Sequence, residues 1–292
     1  MLSNQNEVIL TQFEEMLSQS ALSSSTIVNY LADLRTFAYW GSDSVGPDFQ
    51  LLKVTPTHVR AYRDYLVQQL KRAPSTVNRH LMALRKFFTF AIQLDQISAD
   101  PTNGVSLVQD NGQAISRPLT EGEAESLLKA AQNGSRAGLV RRDVAILQLL
   151  LYTGLRVSEI VNLTTDNLTF DDPGVHLHIY DTPGEGTVRR LPLPAKVCKA
   201  LNDYLKVRPQ TATTTHFFLS QEGRPISKRT VQRIVADCAK TAGLEGVSAQ
   251  SIRRTFALQL LSETQDLALV SKLLGHQNSN ITEQYLAVHQ HH

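Results

Sequence analysis

Residues 97–118, ISADPTNGVSLVQDNGQAISRP, interrupt a chain otherwise patterned for helices, and they constrain the fold more than any other stretch. Their Pro, Gly, Asn and polar residues carry no helical period, so helix cannot run through them. The flanks are each long enough to bury a core, and 292 residues exceed the usual size of one small domain. The chain therefore reads as two domains, residues 1–102 and 118–292, joined by a linker over 103–117.

Before this break the period is helical, with four or five helices and almost no strand signal. SSSTIVNYLADLRTFAYWG opens on capping serines and is expected to stop at Gly41. TPTHVRAYRDYLVQQL begins with Thr55 and Pro56 at the N-cap and first-turn positions. APSTVNRHLMALRKFFTFAIQLD carries Val77, Leu81, Leu84, Phe87, Phe88 and Ala91 on one face, the expected core side. Charge reverses along this domain: residues 1–52 balance at −5, whereas residues 53–90 balance at +7. The basic groups alternate with helix-period apolar residues, so they are expected to share an exposed side that can meet phosphate, with Arg79, Arg85 and Lys86 as candidates.

After the break, LTEGEAESLLKAA pairs Thr120 with Glu123 as a capping box, and RRDVAILQLLLYTG is apolar enough to be a central core helix. GVHLHIYDTPGEGTVRRLPLP then changes to period two and reads as two strands turning around Pro183 to Gly186. Helices resume to the end, so the chain is mainly α with one small β hairpin. Arg141 and Arg142 are expected at the surface, and His176 and His178, alternating on one strand face, are expected to be structural. Lys228, Arg229 and Arg233 open the helix SKRTVQRIVADC, where repeated positive charge favours phosphate contact.

No apolar run approaches the roughly 18 to 20 residues that span a bilayer, and MLSNQNEVIL lacks the blocks of a secretory signal. Both point to a cytoplasmic protein without membrane contact. Cys198 and Cys238 form neither metal-ligand spacing nor a disulfide framework and read as small buried side chains.

Four residues near helix ends suggest chemistry. TGLRVSEIVNL places Arg156 after a Thr-Gly break, SIRRTFA places Arg253 in the first turns of a helix, and LLGHQNSNITEQY places Tyr285 nine residues after His276. Phosphodiester chemistry without a metal uses such a set: guanidiniums hold non-bridging oxygens and absorb transition-state charge, and a tyrosine attacks phosphorus.

These motifs, in this order, resemble the tyrosine recombinases, which include phage integrases, Xer-type recombinases and transposon-encoded resolvases. The likeness runs over nearly the whole chain, with LSSSTIVNYLADLRTF and STVNRHLMALRKFFTFA similar to helices of the family's DNA core-binding domain. TGLRVSEI resembles the first arginine box, giving Arg156 and a supporting Glu159. Arg253 falls on the arginine of the middle box, and LLGH with its tyrosine on the last. The resemblance implies a helical core-binding domain, a catalytic domain, and site-specific cutting and rejoining of double-stranded DNA through a 3′-phosphotyrosyl intermediate. It implies no metal or nucleotide cofactor, and a homotetramer assembled on two DNA sites.

Departures from the family pattern leave a second reading open, a catalytically impaired homologue acting as a DNA-binding partner or architectural subunit. Gln250 stands where the middle box has histidine; glutamine can donate a hydrogen bond to phosphate but cannot take up a proton at neutral pH. Thr187 stands where the family's hairpin lysine is expected, and Arg189 and Arg190 nearby are poor acids. Lys196 and Lys272 are then the alternatives for the acid. Arg254, about 100° around the helix from Arg253, is expected to meet DNA backbone or a carboxylate. LAVHQHH after Tyr285 is too short for a stable helix, so tetramer contacts are expected from elsewhere.

Overall fold

Side-chain caps start three helices where the sequence places them, at Ser23, Thr55 and Thr120, whereas the helix expected to start at Ser75 begins at Pro74 without a side-chain cap. The computed structural model describes residues 2–20, 22–109, 117–134, 137–171, 174–182, 185–209 and 214–275, and the chain divides into two units, Met1–Gln113 and Ala114–His292. In the first unit Ser3, Ser23 and Thr55 cap α1 (Asn4–Ser18), α2 (Ser24–Ser44) and α3 (Pro56–Asp64), their hydroxyls accepting from the backbone of Asn6, Thr26 and His58. A π turn, Tyr65–Gln69, extends α3, and α4 (Pro74–Gln93) starts on Pro74. The six core residues expected on α4 are all buried, packed among Phe13, Phe37 and Tyr62.

Helix α2 does not stop at Gly41. It runs three residues further, because a glycine inside the helix leaves room for the Phe49 ring: a Cβ at position 41 would lie 2.2 Å from its carbons. The Asn6 side chain holds the chain after α2, donating to the Phe49 carbonyl and accepting from the Leu51 N–H, both at 2.9 Å. Part of the segment read as linker belongs to this unit. Val105 is buried in its core, and Asn78 exchanges two hydrogen bonds with the backbone of Val108.

A buried polar relay joins three of the helices. Tyr62 Oη and His80 Nδ1 are 3.1 Å apart, and His80 Nε2 lies 3.3 Å from Asp33 Oδ1. A neutral imidazole satisfies both contacts, accepting from the tyrosine and donating to the carboxylate. Asp33 also accepts from Arg79 at 2.5 Å. Burial, followed by the charges of Arg79 and Arg72, pushes the His80 pKa down to about 4.

In the second unit, α5 (Glu121–Gln132) carries the expected capping box between Thr120 and Glu123. Helix α6 (Ala137–Thr153) supplies the centre of the core through Ala145, Ile146, Leu147, Leu149 and Leu150, all 0% exposed. The short α7 (Val157–Asn162) leads into the sheet. The expected hairpin is part of a three-stranded antiparallel sheet, β1 (Leu168–Asp171), β2 (Gly174–Thr182) and β3 (Glu185–Pro192), in the order β1-β2-β3. Leu177, Ile179 and Leu191 face the core. Helices α8 (Ala195–Leu205), α9 (Lys228–Thr241), α10 (Ala249–Thr264) and α11 (Leu267–Leu274) complete the unit. No helix among the described residues is long and apolar enough to cross a membrane.

One arginine expected outside is inside, and a second loses one of its two expected partners. Arg142 is buried, donating to the Leu219 carbonyl and to Asp143, because it anchors α6 to the segment before α9. Arg254 is 1% exposed, so it offers no surface to DNA; the α10 face about 100° from Arg253 packs inward. Cys238 is buried and Cys198 half-buried.

The relay makes the first unit sensitive to acid. His80 stays neutral in the fold down to about pH 4 but protonates near its ordinary value of 6.5 when unfolded, so stability falls as pH drops through that window. The Asp33 carboxyl, raised mainly by burial, opposes the trend once it begins to bind protons. Denaturant unfolding followed by the fluorescence of Trp40, the single tryptophan, should lose on the order of 1–3 kcal/mol between pH 6.5 and 4.5, and His80→Gln should flatten that dependence.

Candidate active site

Helix α11 ends in Leu273, Leu274 and Gly275, whose carbonyls have no partner further along the helix. Each receives one guanidinium. Arg189 Nη1 donates to the Leu273 carbonyl at 2.7 Å, Arg253 Nη2 to Leu274 at 2.7 Å, and Arg156 Nη2 to Gly275 at 2.6 Å. The partial negative charge of a helix C-terminus favours such cations.

The three side chains reach this point from different elements. Arg156 is the N-cap of α7, after the break at Gly154, where φ is +60° and a Cβ would meet Phe256 at 2.4 Å. Arg253 sits one turn into α10 and also donates to the Gly154 carbonyl at 2.6 Å, so one guanidinium closes the ends of α6 and α11. Arg189 lies on the buried face of β3, paired across from Ile179 and two residues from Leu191.

Glu159, on the first turn of α7, is the carboxylate that balances the cluster. It accepts from the Arg156 backbone N–H at 2.7 Å and from Arg156 Nη1 at 3.0 Å, and Arg189 Nη2 donates to it as well. Arg253 Nη1 lies 4.0 Å away. Three guanidiniums therefore meet one carboxylate among the described residues. Of their side chains, Arg156 is 39% exposed whereas Arg189 and Arg253 are each 7% exposed. The arrangement can accept an anion at the Arg156 face with charge already fixed by folding.

The structure thus brings Arg156, Glu159 and Arg253 together, as the motifs imply, and adds Arg189. The sequence carries a signal for it: in TVRRLPL, Arg189 shares a face with Leu191, and a charge on the apolar face of a strand needs a buried partner. Gln250 is exposed on α10, one turn before Arg253. His276 and Tyr285 lie outside the described residues. Lys196 stacks on the Tyr152 ring at 3.5 Å, and Lys272 is exposed on the last turn of α11. Thr187 lies on β3, and its side chain is outside what is described.

Of the other basic candidates, Lys86, Lys228, Arg229 and Arg233 are exposed. Arg79 and Arg85 are half-buried, Arg79 on Asp33 and Arg85 donating to the Val105 carbonyl at 2.9 Å. His178 hydrogen-bonds Thr169 at 2.8 Å and His176 meets Arg190 at 3.2 Å, the structural roles expected of them.

The chain resembles known proteins over nearly its whole length. Residues 117–292 match the Phage integrase family, and residues 10–94 match the phage integrase N-terminal SAM-like domain. The chain is 32% identical over 289 residues to the tyrosine recombinase XerC of Staphylococcus haemolyticus, covering 97% of this chain and 93% of that protein. It is 28% identical over 284 residues to the tyrosine recombinase XerD of Lacticaseibacillus casei, covering 94% and 91%. Among solved structures it shares the fold of the XerH site-specific recombinase bound to a palindromic difH substrate, with a TM-score of 0.75 at 21% identity over 98% of this chain and 88% of that one.

Glu159→Ala leaves the buried Arg189 without its carboxylate. Unfolding of the second unit, followed by circular dichroism, should show a loss of about 3 kcal/mol, the scale of a broken buried pair, while Trp40 in the first unit reports no change.

Proposed function

The chain belongs to the phage integrase family of tyrosine recombinases, enzymes that transfer DNA strands, and on that premise we propose that it cuts and rejoins double-stranded DNA at specific sites with Tyr285 as nucleophile. The observation that carries the reading is the convergence of Arg156, Arg253 and Glu159 on the turn that leads directly to His276. In the proposed reaction the Tyr285 oxygen bonds to phosphorus, the bond from phosphorus to the 5′-oxygen breaks, and that oxygen takes a proton. A 5′-hydroxyl of the partner strand reverses the step. Arg156 and Arg253 hold the non-bridging oxygens, with hydrogen bonds from His276 and Gln250. The sequence reading of an impaired, DNA-binding homologue finds no support in the named relatives, which are tyrosine recombinases.

Residues 1–102, with Val105 and Val108 packed onto them, would act as the core-binding domain, with Arg79, Arg85 and Lys86 meeting phosphate, and residues 118–292 as the catalytic domain, where Lys228, Arg229 and Arg233 add backbone contacts. The working assembly would be a homotetramer on two DNA sites, in the cytoplasm with the nucleoid.

A duplex selected by the wild-type protein from a random-sequence library supplies the substrate. With it, Tyr285→Phe should abolish the denaturant-resistant protein–DNA adduct while leaving affinity nearly unchanged, since one hydroxyl adds little to many phosphate contacts. Arg156→Ala and Arg253→Ala should each slow adduct formation by on the order of 10² to 10³, the scale of a lost charge-stabilising donor. An adduct that persists in Tyr285→Phe refutes the nucleophile.

Thr187 at the hairpin position leaves the proton donor to the 5′-oxygen unassigned. A bridging 5′-sulfur leaves readily without a proton, a thiol having a pKa of about 8.5. If the position is vacant, the 5′-thio duplex should be cleaved much faster than normal DNA, and Thr187→Lys should narrow the gap by speeding the normal duplex. Equal, brisk cleavage of both by the wild-type protein would show that another residue, such as Lys196 or Lys272, supplies the proton.

A further inference from the structure

Resting on the reading of Tyr285 as nucleophile, we propose that Arg189 is a positioning residue for strand transfer, holding Glu159 and the 273–275 turn in register with Arg156 and Arg253. A guanidinium on the core face of a strand is a costly way to fill space, since the neighbouring positions are satisfied by Leu177, Ile179 and Leu191. Its geometry shows what it adds. The two ends of its fork grip separate elements, Nη1 on the Leu273 carbonyl of α11 and Nη2 on Glu159 of α7. The same Glu159 oxygen accepts from Arg156. Arg189 therefore ties the strand, the first arginine's partner and the end of α11 into one unit.

Gly275 shows how tightly the turn is set. Its φ is +65°, and a Cβ there would lie 2.7 Å from Arg189 Cζ and 2.8 Å from Nε. The guanidinium packs against Gly275, the residue that precedes His276, where no side chain would fit. Lysine would not substitute, because one ammonium cannot span both acceptors with a planar fork. Arg189 is 7% exposed, with Nη1 on the Leu273 carbonyl and Nη2 on the Glu159 carboxylate, whereas Arg156 is 39% exposed.

The test compares adduct formation in a single turnover on the selected duplex and on the same duplex with a neutral methylphosphonate at the cleaved position. Arg189→Met should slow adduct formation by about 10²-fold, the cost of a small misplacement of reacting groups, with DNA affinity within about threefold of wild type. The methylphosphonate should restore much of the rate lost in Arg156→Ala, whose role is to balance the phosphate charge, and little of that lost in Arg189→Met. A rate unchanged by Arg189→Met overturns the proposal, as does rescue equal to that of Arg156→Ala, which would make Arg189 a phosphate ligand, or affinity falling in step with rate, which would make it purely structural. If Arg189→Met does not fold, Arg189→Lys decides: slow chemistry with intact binding supports the proposal, and a wild-type rate overturns it. No adduct with the wild-type protein overturns the reading of Tyr285 and this proposal together, whereas a wild-type adduct with unaffected Arg189 variants overturns this proposal alone.

Discussion

The second unit depends on how one short helix ends. Eight residues of α11 leave their last carbonyls without intrahelical partners, and the fold answers with three guanidiniums in place of solvent. The donors come from α7, β3 and α10, so the contacts close only when all of those elements are docked. Gly154 and Gly275, both at positive φ, let the chain turn where a side chain would strike Phe256 or Arg189. Capping and closure of the site are thus one event.

Three like charges in close quarters repel, and what offsets them matters for chemistry. Glu159 neutralises part of the cluster, and the C-terminal ends of α6 and α11 supply partial negative charge to the rest. Under the proposed reading, an arriving phosphate finds donors already oriented, and the reorganisation that water would demand has been met by folding. Arg156, the most exposed of the three, is the natural first contact.

The first unit applies similar logic to a different end. Asp33, on α2, is held by His80 on α4, which is itself held by Tyr62 on α3, and its other oxygen receives Arg79. A buried carboxylate costs free energy unless paired, and here the pairing fixes the direction of a basic side chain on the helix proposed to meet DNA. The basic run of residues 53–90 therefore does not behave as a uniform solvated face. Arg60, Lys71, Arg72 and Lys86 are exposed, while Arg79 and Arg85 are tied to protein partners.

Local rules were legible because their causes are local. The caps at Ser23, Thr55 and Thr120, the apolar stripe of α4 and the motif residues Arg156, Glu159 and Arg253 could all be read from spacing or resemblance, and the structure places them as read. What failed depended on a partner far away in the chain. Gly41 reads as a helix stop until Phe49 is seen against it, Arg142 reads as surface until the Leu219 carbonyl is seen beneath it, and of the two partners Arg254 could have, DNA backbone or a carboxylate, burial removes the DNA. The sequence by itself determined two largely helical units and a β hairpin, since periodicity and capping act within a few residues, and motif resemblance supplied the residue types of the proposed phosphate site. Only the tertiary structure decided that Arg189 joins Arg156 and Arg253 at the end of α11, because which carbonyls a buried guanidinium can reach is set by the docking of a strand against two helices that no local pattern encodes.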